Sequence, residues 1–148
     1  MAEKKRMPPL RIDEVILLVD TYFQLREIES HALRLEMLSD LSSNMRSLPF
    51  NADICNDPAF RSPSGMDMLI NNLRTNYDAS KKPYGQLSAK RRKVYDYYLE
   101  RRQELNEIAK CILSISNMSF PILSEYMNNV LQFAHSIYLN LTHPCISI

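Results

Sequence analysis

Arg11-Ile12-Asp13-Glu14-Val15-Ile16-Leu17-Leu18-Val19-Asp20-Thr21-Tyr22-Phe23-Gln24-Leu25 is the stretch that decides the fold. Ile12, Val15, Ile16, Val19, Tyr22 and Phe23 recur within it at spacings of three and four, the period of one face of an α-helix. Pro8 and Pro9 stand ahead of it and cannot sit in a helix interior. Asp13 and Glu14 fall in the first turn, where the helix dipole favours negative charge. The reading is a helix from about Arg11 to Leu25 that presents one apolar stripe to a core.

Outward from there the same period returns. Leu33, Met37, Leu38, Leu41, Met45 and Leu48 form the stripe of a second helix, Ser30 to Leu48, stopped by Pro49 and packed antiparallel on the first across a short connection. Pro58, Pro63, Asn51, Asp53, Asn56 and Asp57 make Phe50 to Pro63 a loop. Ser64, with Asp67 three residues on, opens a short helix to about Thr75. A second loop runs to Leu87. Ser88 then caps the longest helix expected, Ala89 to about Ser116, whose stripe is broken at Arg101. A last helix begins near Pro121 and ends by His143-Pro144. The expected fold is therefore all-α, about five helices in a compact orthogonal or bundle-like arrangement, with the long helices in the C-terminal half. Residues 1–10 read as a flexible basic N-terminus, 11–116 as a helical recognition domain, and 117–148 as a C-terminal helix that packs on it or mediates association.

Composition narrows the function. The 148 residues contain only two glycines, too few for the turns of an all-β chain and for any Gly-rich phosphate loop. The three cysteines, Cys55, Cys111 and Cys145, form no C-x-x-C pair, which points to free thiols in a reducing cytoplasm rather than to zinc or redox chemistry. The basic first residues lead into prolines and charges, not into the apolar core of a signal peptide. Phe120–Leu141, the most apolar stretch, is interrupted by Glu125, Asn128, Asn129, Gln132, His135 and Asn140, so no membrane span is expected.

Net charge is +1, but it is segregated. Residues 10–60 carry four basic and nine acidic side chains, net −5; residues 74–102 carry nine basic and three acidic ones, net +6; residues 103–148 return to −2. The basic block holds Arg74, Lys81, Lys82, Lys90, Arg91, Arg92, Lys93, Arg101 and Arg102, interleaved with Tyr77, Tyr84, Tyr95, Tyr97 and Tyr98. Cations at 90–93 lie in the first turn of a helix, against its dipole, and with Ser88 and the free N–H groups they would suit a phosphate. Aromatic faces among cations suit exposed bases or sugars. A solvated helix face is the alternative reading of the same run.

The most distinctive stretch is Phe60-Arg61-Ser62-Pro63-Ser64-Gly65-Met66-Asp67-Met68-Leu69-Ile70-Asn71-Asn72-Leu73. It resembles the F-R-N-x-N-G-[VI]-x-M-K-x-x-N-[FL] segment of a helical domain that precedes HNH nuclease domains in bacterial modification-dependent restriction and phage-defence proteins. The Arg11–Phe23 helix is similar to that domain's opening helix, and Leu38-Ser39-Asp40-Leu41-Ser42-Ser43-Asn44-Met45-Arg46-Ser47-Leu48-Pro49 to an L-S-x-x-L-x-x-L-P element that follows. The resemblance spans roughly Arg11 to Tyr98. Ser62 and Ser64 stand where the family often has Asn, Leu69 replaces a Lys, and the nuclease itself is missing. The resemblance implies a DNA-recognition or accessory domain. Arg61 would then read bases from the loop and helix at 61–73, Asn71 and Asn72 would offer amides to base edges or phosphates, and Ser64 would contact DNA beside them. The alternative is a structural turn in which Phe60 plugs the core.

Catalytic patterns do not emerge. His31, His135 and His143 are scattered, no H-E-x-x-H or Cys/His zinc spacing occurs, and Asp13, Glu14 and Asp20 point at different angles from one helix. Cys55-Asn56-Asp57 is the only nucleophile candidate, and a weak one. The expectation is a cytoplasmic, non-enzymatic domain that binds duplex DNA, modified or unmodified, with no metal or cofactor. Its DNA-binding residues would be Arg61, Ser64, Asn71, Arg74, Lys81, Lys82, Ser88, Lys90, Arg91, Arg92, Lys93 and Arg101. The rival expectation is a helical interaction or oligomerisation module that docks a nuclease or helicase partner, or a second copy, through the last helix with Met118 and Met127.

Overall fold

The computed structural model describes residues 7–77, 82 and 85–114, and the expected helix after Pro121 lies outside them, as do Lys81, Tyr84, Met118 and Met127. The chain is all-α. Its helices are α1 (Ile12–Leu25), α2 (His31–Arg46), α3 (Pro63–Tyr77), α4 (Ala89–Tyr98) and α5 (Arg102–Ser114), with a 3₁₀ turn at Pro49–Asn51 and no strand among the described residues.

Helix α1 is the axis of the fold, packed against each of the other four; α2 packs on α3 and α4 on α5. The expected single stripe is thus exceeded. Asp13 through Asp20 are buried without interruption, and Tyr22, Phe23 and Leu25 follow. Neighbours on every side require a helix apolar nearly all round, and the run Val15-Ile16-Leu17-Leu18-Val19 supplies it.

Ser30 caps α2, its Oγ accepting the Leu33 N–H at 3.3 Å, and Ser88 caps α4 through the Arg91 N–H at 3.3 Å. The opening of α3 differs from expectation. Ser62, not Ser64, caps it, accepting the Gly65 N–H at 3.1 Å, with Pro63 at the first helical position. Leu33 on α2 is 43% exposed, so the core face of that helix begins at Met37 and Leu38.

The long helix expected from Ala89 is two helices. The Arg101 N–H turns back to the Tyr98 carbonyl at 2.9 Å, and the Arg101 carbonyl then receives the Leu105 N–H at 3.1 Å, starting α5. A straight helix would carry Leu105, Ala109 and Ile112 away from α1, whereas the bend at 99–101 brings all three into the core with Val94 and Tyr98. Among the described residues α4 has 10 residues and α5 has 13.

Candidate nucleic-acid interface

The three segments that carry the family resemblance meet at one buried polar knot. Glu14, 1% exposed, receives the Arg61 Nε–H on Oε2 at 2.7 Å and the Arg61 Nη2–H on Oε1 at 3.2 Å. Asn51, just past Leu48-Pro49, donates to Oε2 at 3.4 Å and to the Met45 carbonyl at 2.8 Å. The Arg11 backbone N–H completes the set, 3.0 Å from Oε1. Ser42 of α2 donates to the Arg61 carbonyl at 2.6 Å. Phe60 is fully buried, with the Arg61 guanidinium 4.6 Å over its ring. Arg61, expected to read bases, is therefore turned inward and 8% exposed, its guanidinium held by Glu14. Its φ of 45° is left-handed, a strain of about 1–2 kcal/mol that the surrounding bonds offset. A buried carboxylate supplied from α1 captures it, which explains why loop position alone misplaced it.

Several of the other cations expected at the interface are tied to neutral acceptors. Lys90 donates to the Leu10 carbonyl at 3.1 Å. Arg91 donates to Asn72 Oδ1 at 2.8 Å and to Ser88 Oγ at 3.1 Å, and burial lowers its pKa. Asn76 extends that network, bonding the Asn72 carbonyl at 2.7 Å and the Gly85 carbonyl at 3.1 Å. Gly85 turns the chain there at φ 73°. The charge run at the start of α4 is thus partly a brace between α3, α4 and the segment ahead of α1. Asn71 is half-buried and accepts Arg74 Nη2–H at 2.9 Å; Ser64 is exposed, its Oγ 3.2 Å from that of Ser62. Lys82 and Arg92 are exposed, Lys93 is half-exposed, and exposed Arg101 stacks its guanidinium 4.5 Å over Tyr97.

A different cluster appears around the stacked rings of Tyr77 and Tyr95, whose centroids are 3.6 Å apart. Tyr77 donates to Asp96 Oδ1 at 3.2 Å, and burial with that carboxylate raises its pKa. Arg92 lies 5.9 Å over the Tyr77 ring. Beside the stack opens a pocket of about 630 Å³ lined by Tyr22, Leu25, Arg26, Ile28, Arg34, Arg74, Tyr77 and Tyr95. An adjoining cleft shares Arg26 and Tyr95 and adds Leu99, Glu100 and Arg102. Five arginines (26, 34, 74, 92 and 102) therefore share this corner with the aromatic stack, as do the carboxylates of Asp96 and Glu100. Among the described residues only Arg102 of these five has a carboxylate within ion-pair distance, an exposed contact of 3.4 Å to Glu27.

No known family model, curated protein or solved structure matches this chain.

Arg26 and Arg34 were absent from the expected site. Both lie in the segment of net −5, where a local charge count hides them. Only the return of α3 and α4 onto the α1–α2 corner sets them beside Arg74 and Arg92. No helix among the described residues is long and apolar enough to cross a membrane.

Proposed function

We propose that the chain is a helical DNA-binding domain, without nuclease chemistry of its own, of the kind used by restriction and phage-defence proteins. The observation that carries this reading is the group of five arginines about the Tyr77–Tyr95 stack, nearly free of carboxylate partners. Guanidinium groups are the side chains best matched to phosphate oxygens, and such contacts bind duplex DNA whatever its sequence. The resemblance of Arg11–Tyr98 to the domain ahead of HNH nucleases supports the biological setting. The interface is moved from the loop at Arg61 to the corner formed by the ends of α1 and α3, the start of α2 and the exposed side of α4.

The test is the salt dependence of binding to a random duplex bearing 5′-hydroxyl ends. Arg92→Glu and Lys93→Glu should weaken binding to every sequence, and each lost phosphate contact should reduce the logarithmic salt slope by about 0.9. Absence of binding at low salt would sink the reading. It would favour instead a protein-docking module, which the exposure of Leu33 and Leu35 (54%) on α2 supports.

A further inference from the structure

The Arg26–Arg34–Arg74 pocket is more than a patch of positive surface. Its lining residues include three guanidiniums and no carboxylate. Each arginine has a local role that leaves donors over. Arg34 Nη1–H covers the Leu25 carbonyl at the end of α1, at 3.1 Å. Arg26 closes α1 and lies 5.9 Å over the Tyr22 ring. Arg74, in the last turn of α3, bonds Asn71, yet its Nε–H is buried with no acceptor among the described residues. A buried donor left unmet is costly, but this N–H is closed to solvent and so to a ligand oxygen as well; what Arg74 offers the pocket is the rest of its guanidinium.

Charge decides what the three guanidiniums of this pocket would hold. The C-terminal ends of α1 and α3 converge here, each worth roughly half a negative charge. Three guanidiniums of the lining therefore exceed the two helix ends by about two positive charges, the Asp96 carboxylate bonded to the Tyr77 hydroxyl not being part of that lining. A terminal phosphate carries about −1.5 to −2 at neutral pH, whereas a phosphodiester carries one charge. The geometry points to this pocket as a receptor for a terminal phosphate group, a dianionic monoester held between Arg26, Arg34 and Arg74. The inference goes beyond duplex binding, because that needs only diesters. Tyr22, Tyr77 and Tyr95 form the wall beside the phosphate, and Leu25 and Ile28 give an apolar side. Free nucleotides and the 5′ ends of strands both present this group.

Arginine side-chain NMR tests it on the full chain. The Arg74 Nε–H signal should shift saturably with millimolar inorganic phosphate, and with a 5′-phosphorylated single strand more than with its 5′-hydroxyl twin. Arg26→Ala, at an exposed position, and Arg74→Lys, which keeps the charge but loses the planar guanidinium fork, should each weaken phosphate binding about tenfold or more, the loss expected for one charge-assisted hydrogen bond. A nucleoside monophosphate outcompeting the strand would identify the free nucleotide as the source, and the reverse a strand end; either supports the site. An unmoved Arg74 signal, a response undiminished in Arg26→Ala, or equal responses to the two strands would overturn it. The 5′-hydroxyl duplex measurement stands apart from these outcomes, so duplex binding and the phosphate site fail separately.

Discussion

Arg61 and Arg74 stand at opposite ends of α3, and they show how differently one fold treats the same side chain. At the N-terminal end the guanidinium is sealed inside, bonded through Nε and Nη2 to a carboxylate that is 47 positions earlier in the chain. Asn51 and the Arg11 N–H occupy the remaining acceptor sites of Glu14, so little of that pair's bonding capacity is left over. At the C-terminal end the guanidinium meets an amide oxygen, two further arginines and a pocket. The first arrangement defines where α1, the 3₁₀ turn and α3 meet. The second leaves charge and a donor unanswered. The lesson is that an arginine becomes structural or available according to whether a distant segment returns a carboxylate to it.

Breaking the closed end should have the largest effect. Glu14→Ala leaves Arg61 charged and unpaired in the interior and should destabilise the fold by about 3–5 kcal/mol in urea titration. Replacing both partners with apolar residues, Glu14→Leu with Arg61→Met, should recover much of that loss. Arg74→Ala, by contrast, should change stability by less than about 1 kcal/mol, because it deletes one hydrogen bond and an unmet donor. Equal losses at the two ends would erase the distinction drawn between them.

The brace between the two ends is next in size. Asn72→Ala removes one of the two side-chain acceptors of partly buried Arg91 and should cost about 1–3 kcal/mol, read from thermal melting with DNA absent.

Asp13 sharpens the contrast within a single turn, because it adjoins the satisfied Glu14 while its own Oδ1 has no partner among the described residues. Burial, then the charge of Glu14, push its pKa from 3.8 up to about 6. The folded state thus holds a proton more tightly than the unfolded chain, and this group's contribution to stability falls as pH rises from about 4 to about 6. Asp13→Asn should raise the melting temperature at pH 7.5, with the gain shrinking toward pH 4; a gain independent of pH would remove the assignment.

Gly85→Ala should cost about 1 kcal/mol in thermal melting, through its left-handed φ alone, since the added methyl would meet only Asn72 Nδ2 at 3.6 Å.

Much of this architecture can be read in the chain because its signals are local. Ser30 and Ser88 mark helix starts, the apolar spacing marks α1 and α3, and Pro49 ends α2 within two residues. The division of α4 from α5 leaves only the break in the apolar stripe at Arg101. Leu99, Glu100 and Arg101 include neither proline nor glycine, and the bend comes from packing both halves on α1. The candidate site was less legible still. Its basic half was visible in Arg74 and Arg92, while Arg26 and Arg34 are hidden in an acidic segment and brought to the pocket only by tertiary return. Arg61 misled for the same reason in reverse, because its carboxylate lies in another motif.

The placement of α1 also bears on how the chain comes into being. This helix leaves the ribosome before any of its four covers, and α5, which reaches Asp20 through Asn106 at 3.3 Å, comes last of the described helices. At about 5–20 residues per second, roughly 5–20 s separate the synthesis of α1 from that of its last cover. During that interval Val15 to Val19 is an apolar ribbon that the nascent chain cannot yet enclose. Productive synthesis therefore depends on α2 and α3 associating early with α1, or on a chaperone that shields it until Leu105, Ala109 and Ile112 arrive.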